Sequence, residues 1–317
     1  MKKIIFALMI AMTTITNVNA LENISKEEKA YLNQIGYEDL EIEIMTQSEY
    51  EKILNEKAIY VSSDTKYYKT IYLNNNYAIN NSINTISTEI TKEEYENESS
   101  INPRGDETVN TEYKKMVITL TYVSSSNQYK AKNTLTWKKM PKIRDMDIIA
   151  MSNNSAVSEP VANTYSAYTA YITEDSCKKT SNSNRNNHTS NWKKTPSGSG
   201  ITFSMPKDTT KTYTWNDLTG DEFDCWDTSL KTGGTGSVNA NIKVTSIVTT
   251  LIYNLSKVSN ASLSLYGSYK HGTKYINVTP TFDIAYNGSP SISVSPSIEN
   301  SFDEINDAQL TITNPVW

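Results

Sequence analysis

Cysteine and histidine are scarce in this 317-residue chain, with two of each. Two histidines, His188 and His271, sit in no HExxH, Cys/His or nucleophile-elbow context, so no catalytic residue is assigned and a surface or hydrogen-bonded role is the default for both. The two cysteines cannot supply the repeated Cys/His spacing of a zinc site. No cofactor motif is present, and none is expected. After the first residues no run of ~18 apolar positions occurs, which leaves no transmembrane helix. A concentrated excess of Lys and Arg is missing as well, which excludes a nucleic-acid footprint.

What is present begins with an address. Lys2 and Lys3 precede a short apolar core, Ile4 to Met12, and Val18-Asn19-Ala20 places small residues at a cleavage position. Residues 1–20 therefore read as a secretory signal peptide, and the mature chain as secreted or extracellular, with or without association to the cell surface. In that compartment Cys177 and Cys225 are expected to form a disulfide closing a loop of about 48 residues, a gain of roughly 3–4 kcal/mol in the chain-entropy picture.

Charge divides the chain. Residues 21–100 hold 16 acidic and 7 basic side chains, whereas residues 101–317 hold 19 acidic and 21 basic. Two units follow: an acidic, partly helical segment over 21–98, read either as a removable pro-segment or as a constitutive subdomain, and an all-β domain over 113–317. The polar stretch 99–112, with Pro103, Arg104 and Gly105, reads as a linker, and its exposed Arg104 as a protease site.

Three capping boxes mark helix starts, at Ser25 with Glu28, Thr46 with Glu49 and Thr91 with Glu94, and Gly36 marks a stop. Beyond residue 113 the period changes to two. Met116, Ile118, Leu120 and Tyr122 alternate with polar neighbours, as do Tyr129, Ala131, Leu135 and Trp137, which predicts an antiparallel hairpin with one wet face carrying Lys130 and Lys132. Residues 178–200 read as a long exposed polar loop. Further on, Val238, Ala240, Ile242 and Val244 alternate until the phase slips near Ser246, a bulge signal. Many short strands separated by turn residues predict a mainly β protein, an antiparallel sandwich or barrel-like domain behind a short helical segment.

Candidate sites are few. Lys138, Lys139 and Lys142 at the Trp137–Pro141 turn are a basic patch suited to an anionic wall polymer or surface glycan. Arg144 is expected to pair with Asp145 or Asp147 and pin that turn. Asp221, Glu222, Asp224 and Asp227 crowd an irregular stretch and suit an oxygen-loving cation, but not with EF-hand spacing, so no metal is assigned. The leading functional expectation is a non-enzymatic surface-associated protein that binds a wall glycan, polymer or protein. A membrane-active β-hairpin toxin, built on the Ser/Thr-rich alternation of 237–270, is the alternative, and an extracellular hydrolase is third.

Trp137, Met140-Pro141, Arg144 and Asp147-Ile148-Ile149 together resemble a group of exported proteins of clostridia and related low-GC Gram-positive bacteria that carry no known activity. The opening ISKEEKAYLNQIGYEDLEIEIM and the strand LSLYGSYKHGTKYINV agree with that group. The resemblance implies export and a β-rich body, and transfers no site residue.

Overall fold

The computed structural model describes residues 15–16, 24–73, 84–97, 111–178, 180–214, 237–275, 279–286, 290–295, 299–303, 305 and 307–317. Among the described residues the α-helices are α1 (Lys26–Gln34), α2 (Asp39–Glu43), α3 (Gln47–Glu56) and α4 (Lys92–Asn97). The strands are β1 (Ile15–Thr16), β2 (Ile59–Leu73), β3 (Asn84–Ile90), β4 (Thr111–Val123), β5 (Gln128–Lys139), β6 (Met146–Asn153), β7 (Ser158–Pro160), β8 (Ser166–Asp175) and β9 (Ser181–Asn187). They continue with β10 (Trp192–Thr195), β11 (Gly198–Ser204), β12 (Thr209–Thr214), β13 (Ser237–Lys257), β14 (Leu263–His271), β15 (Phe282–Tyr286), β16 (Pro290–Val294) and β17 (Ala308–Ile312). The protein is thus mainly β, antiparallel, with a short helical segment ahead of its strands.

The strands stack as layers. A large sheet runs β1-β9-β8-β13-β5-β4-β2-β3, with β12 and β7 also paired to β13, and a smaller one runs β10-β11-β6-β14-β17. Between them lies the main core, where Met116, Ile118 and Leu120 of β4, Leu135 and Trp137 of β5, and Ile247, Leu251 and Leu255 of β13 meet Ile149 and Met151 of β6 and Leu263 and Leu265 of β14. The far face of the small sheet, through Ile148 and Ala150, is closed by the β15–β16 hairpin. Alternation in 114–137 thus places the apolar set inward as the period predicts. The phase slip is also real: the β13–β8 register shifts between Val244 and Ser246.

The middle of the other face of the large sheet is covered rather than wet. Helices α1–α3 cover it, each starting on a closed capping box: Ser25 and Glu28 for α1, Glu38 and Glu41 for α2, Thr46 and Glu49 for α3. The helices have their own small core of Leu32, Ile35, Tyr37, Ile42, Met45, Tyr50 and Ile53. From this layer Leu40 and Ile44 join the apolar cluster of Tyr168, Ala170, Val248 and Ile252 on the sheet. Two buried aliphatic side chains are worth about 3–6 kcal/mol as an upper bound, so this apolar anchor is modest for three helices.

Charge supplies the rest. Glu41 is 1% exposed and meets Lys132, 3% exposed, at 2.6 Å. Glu38 pairs with Lys115 at 2.8 Å, Glu56 with Lys130, and Glu49 grips Arg185 through both guanidinium nitrogens at 2.7 Å. Lys130 and Lys132 were expected on a solvent face; the structure corrects this. Alternation reports which residues share a face, not what lies over it, and here an acidic helical layer does.

Residues 59–90 also differ from the two-unit reading. β2 pairs with β4 along Ile59–Ile71 and with β3 on its other side, so the acidic N-terminal part contributes two strands to the same sheet as the β domain. The stretch 178–200 is not a loop either: it forms β9, β10 and most of the β10–β11 hairpin. Asn and Ser have little strand preference of their own, and the neighbouring strand overrides it. The expected linker 99–112 and the signal peptide lie largely outside the described residues.

Because β2 sits between β3 and β4, cleavage at Arg104 is expected to leave both fragments together. After limited proteolysis, native gel filtration should return one peak containing both pieces, separable only in denaturant. Dissociation under native conditions would contradict the single-sheet arrangement.

Candidate functional site

Two polar centres and one cleft stand out, and they differ in access to solvent. The first centre pins the two sheets together. β4 contributes Lys114, β6 contributes Asp147, β14 contributes Tyr269 and His271, and Asp303 follows the 3-10 turn Glu299–Ser301. Asp147 accepts from His271 Nδ1 at 2.9 Å, from the Gly272 N–H at 3.1 Å and from the Tyr269 hydroxyl. Lys114 pairs with Asp303, whose other oxygen accepts the His271 N–H at 2.9 Å. Trp137 lies edge-on to the His271 ring, centroids 4.9 Å apart. His271 is wholly buried, so of the surface or hydrogen-bonded roles expected for it the structure shows the second.

The part-buried Ser87 hydroxyl donates to Asp303 at 3.2 Å, while Asp147, His271 and Lys114 are wholly buried, so the cluster ties the two sheets together from inside. Burial disfavours the His271 cation, but the Asp147 carboxylate overcomes this and raises the imidazole above its usual value. Burial likewise opposes the Asp303 carboxylate, and Lys114 more than offsets it, lowering Asp303. Burial raises Glu112, whose Oε1 accepts the Lys142 N–H at 2.8 Å.

His188 forms a second, half-buried polar centre. It is stacked on Phe203 with centroids 4.9 Å apart, hydrogen-bonded to Thr169 Oγ1 at 2.8 Å, and pushed down to about 4 by burial. A neutral, half-buried ring with no carboxylate among these contacts to orient it is a packing element. The hydrolase expectation therefore gains no site.

The cleft lies between α3 and the large sheet and encloses about 380 Å³, within the range of small-molecule sites. Its wall from α3 carries Glu49, Lys52, Ile53 and Glu56; its floor carries Lys130, Tyr168, Arg185 and Ile252; its rim carries Ser125, Ser126, Asn163, Tyr165 and Asn254. Asn163 holds a left-handed backbone with φ 63°, which Asn tolerates better than most residues and which turns the rim toward the cleft. Tyr165 is braced by Tyr253 and Trp192, each with its ring centroid 5.7 Å away. Asn254 is held by Gln128 at 2.9 Å. A shallower depression shares Lys52, Glu56 and Ser125 and continues along Ser48, Glu51 and Asn55.

Three ion pairs stand in and beside the cleft, Glu41 with Lys132, Glu49 with Arg185 and Glu56 with Lys130, while the exposed Lys52 of the α3 wall makes no ion pair among the described residues. Arg185 further stacks on Tyr168, 4.0 Å from the ring centroid. Burial lowers Lys130, and the adjacent Glu56 acts against that shift.

The residues singled out in the sequence lie elsewhere. Lys138 reaches over the Tyr95 ring of α4, 4.3 Å from its centroid, and donates to the Tyr95 carbonyl. Lys142 is exposed and Lys139 half-buried, so the three lysines are not gathered around a cavity. Arg144 pairs with Asp208 at 2.5 Å rather than with its neighbours, because Asp147 is committed to His271 and Asp145 to Lys207. Asp221, Glu222, Asp224, Asp227 and Cys225 fall outside the described residues. Cys177 is buried against Tyr213 and Ala240 and is not a free thiol. Among the described residues no group of three or more His, Cys, Asp and Glu side chains is arranged for a metal ion, and no helix is long and apolar enough to cross a membrane. The cleft was not legible in the sequence, since its walls come from segments more than a hundred residues apart.

No family model and no curated protein matches the chain. Among solved structures, the delta-toxin of Clostridium perfringens aligns over 65% of this chain and 85% of its own, at 10% identity and a TM-score of 0.21. At that score nothing is transferred from it.

The buried centre makes a pH-dependent prediction. A raised His271 contributes stability that is complete below the unfolded histidine value of about 6.5 and lost as pH rises through the folded value. A lowered Asp303 contributes stability present above about 3.8 and lost as pH falls through its folded value. Urea midpoints across pH should thus fall on both sides, and His271→Gln should remove the alkaline limb while keeping the acid one. Parallel profiles for the two proteins would contradict the assignment.

Proposed function

We propose that the protein is a non-enzymatic, secreted binding protein whose cleft takes a neutral, hydroxyl-rich ligand, a saccharide of the cell surface or wall. The observation that carries this reading is the charge compensation of the cleft. Each buried cation of the floor faces its own carboxylate, which leaves the exposed Lys52 of the wall as the one cleft cation without an ion pair among the described residues, too little to hold an anionic polymer. Paired guanidinium and carboxylate groups still present donors and acceptors to hydroxyls, and the braced Tyr165 ring, with the Lys194 ammonium 4.0 Å from its centroid, adds aromatic and donor contacts at the rim for a sugar. The open continuation along Ser48, Glu51 and Asn55 suits more than one sugar unit. The basic turn at Lys138, Lys139 and Lys142 plays no part in this reading.

A second reading, activity on membranes, has one observation in its favour. Residues Ser237–Asn241 of β13 run past the end of β8 and pair, among the described residues, with β12 alone. That two-stranded ribbon buries Tyr213 and Ala240 on one side, which also carries the exposed Thr209 and Lys211, and exposes Thr210, Thr212, Thr214, Ser237, Asn239 and Asn241 on the other, a partial form of the two-faced pattern of strands that line a barrel.

Calorimetric titration of the secreted chain against neutral wall-derived oligosaccharides tests the first reading. Binding is expected, with Tyr165→Ala weakening it about 10-fold, the loss of roughly 1.4 kcal/mol, and Lys138→Glu leaving it unchanged. Binding to anionic polymers alone, or indifference to Tyr165→Ala, would overturn it. Dye release from vesicles by the same preparation would move the weight to the second.

A further inference from the structure

The large sheet ends in two strands of equal length, β3 and β9, seven residues each. Among the described residues β3 pairs with β2 only. β9 pairs with β8, and its outer side carries the two-residue β1, which matches Ile15 to Asn186 and Thr16 to Arg185. An unpaired strand edge is a row of open backbone donors and acceptors, and proteins that stay monomeric blunt it with proline, lysine or a bulge. Neither edge is blunted. β3 reads NTISTEI and β9 reads SNSNRNN; neither contains proline or lysine, and the one cation, Arg185, is turned onto Glu49 of α3. Beside the β3 edge, Ile86 is 50% exposed and pairs across the strands with Ile71, 38% exposed.

We propose that β3 of one copy pairs with β9 of the next, joining mature chains head to tail through a continuous sheet. The occupancy of the β9 edge by β1 is what points to this. That edge accepts an added antiparallel strand, and the strand it holds belongs to the stretch read as the signal peptide, so removal on export vacates the position. The polar, nearly uncharged β9 edge offers backbone pairing without repulsion, and the Ile71–Ile86 pair supplies apolar contact next to the seam. A head-to-tail contact is heterologous: it closes a ring if the rotation between copies permits and extends as a filament if it does not. Repetition would multiply weak ligand contacts into avidity, though the pairing stands whether or not the cleft binds saccharide.

Light scattering of the chain comprising residues 21–317, over a concentration series, tests this. The mass is expected to rise to a whole multiple of the protomer. A full chain retaining residues 1–20 should stay monomeric. Ile86→Lys on one edge and Asn182→Lys on the other should each return the mature chain to monomer with an unchanged far-UV spectrum, so that if one variant misfolds the other gives the same readout. A mature chain that is monomeric throughout, or an oligomer that survives both folded variants, would overturn the proposal.

Discussion

The buried contact between Glu41 and Lys132 is the constraint on which the arrangement of helices and sheets depends. Glu41 is saturated: it accepts from Lys132 at 2.6 Å, from the Tyr168 hydroxyl at 2.7 Å, from Thr250 Oγ1 at 2.5 Å and from the Glu38 N–H at 2.8 Å. Lys132 is equally occupied, donating also to the Gly36 carbonyl at 2.5 Å and to Thr134 at 2.9 Å under the Tyr37 ring. Burial alone would raise the Glu41 carboxyl; Lys132 and these donors more than offset it and hold the group below its usual value. Removing either partner would strand a charge in the interior, a cost of about 3–5 kcal/mol. A fully hydrogen-bonded pair thus fixes where the helices sit, which apolar contacts through Leu40 and Ile44 alone would leave loosely specified.

That placement creates the cleft. Once Glu41 seats α2, the following helix α3 lies over β5, β8 and β9 at a height set by Glu49 on Arg185 and Glu56 on Lys130. Space remains beneath it because Tyr168, Ile252 and Asn254 do not fill the gap to Ile53 and Lys52. The acidic excess of residues 21–100 and the slight basic excess of the rest are then two halves of one intramolecular interface. Four carboxylates of that acidic segment, Glu38, Glu41, Glu49 and Glu56, are used in this way.

Local signals were legible in the chain. The capping boxes at Ser25, Thr46 and Thr91 close as written, because each depends on four consecutive residues. The inward set of β4 and β5 and the bulge near Ser246 follow from a period of two. The failures share a cause: each depended on a partner segment that the residue's own neighbours do not reveal, whether remote in sequence or the adjoining strand of a hairpin. His271 finds Asp147 across 124 positions, Lys132 finds Glu41 across 91, and β9 is a strand only because β8 lies beside it. Neither the sheet-to-sheet clasp nor the cleft has a sequence signature, since both are made where strands distant in the chain become neighbours.

The claim that a saturated charge pair docks the acidic helices onto the sheet is tested most directly by a double-mutant cycle. Unfolding free energies would be measured for the native chain, Glu41→Gln, Lys132→Met and the combined variant. A coupling of about 2–3 kcal/mol, with the double variant less destabilised than the two single losses added together, is the predicted result. Strict additivity would contradict it, and would mean that apolar packing positions the helices without the pair.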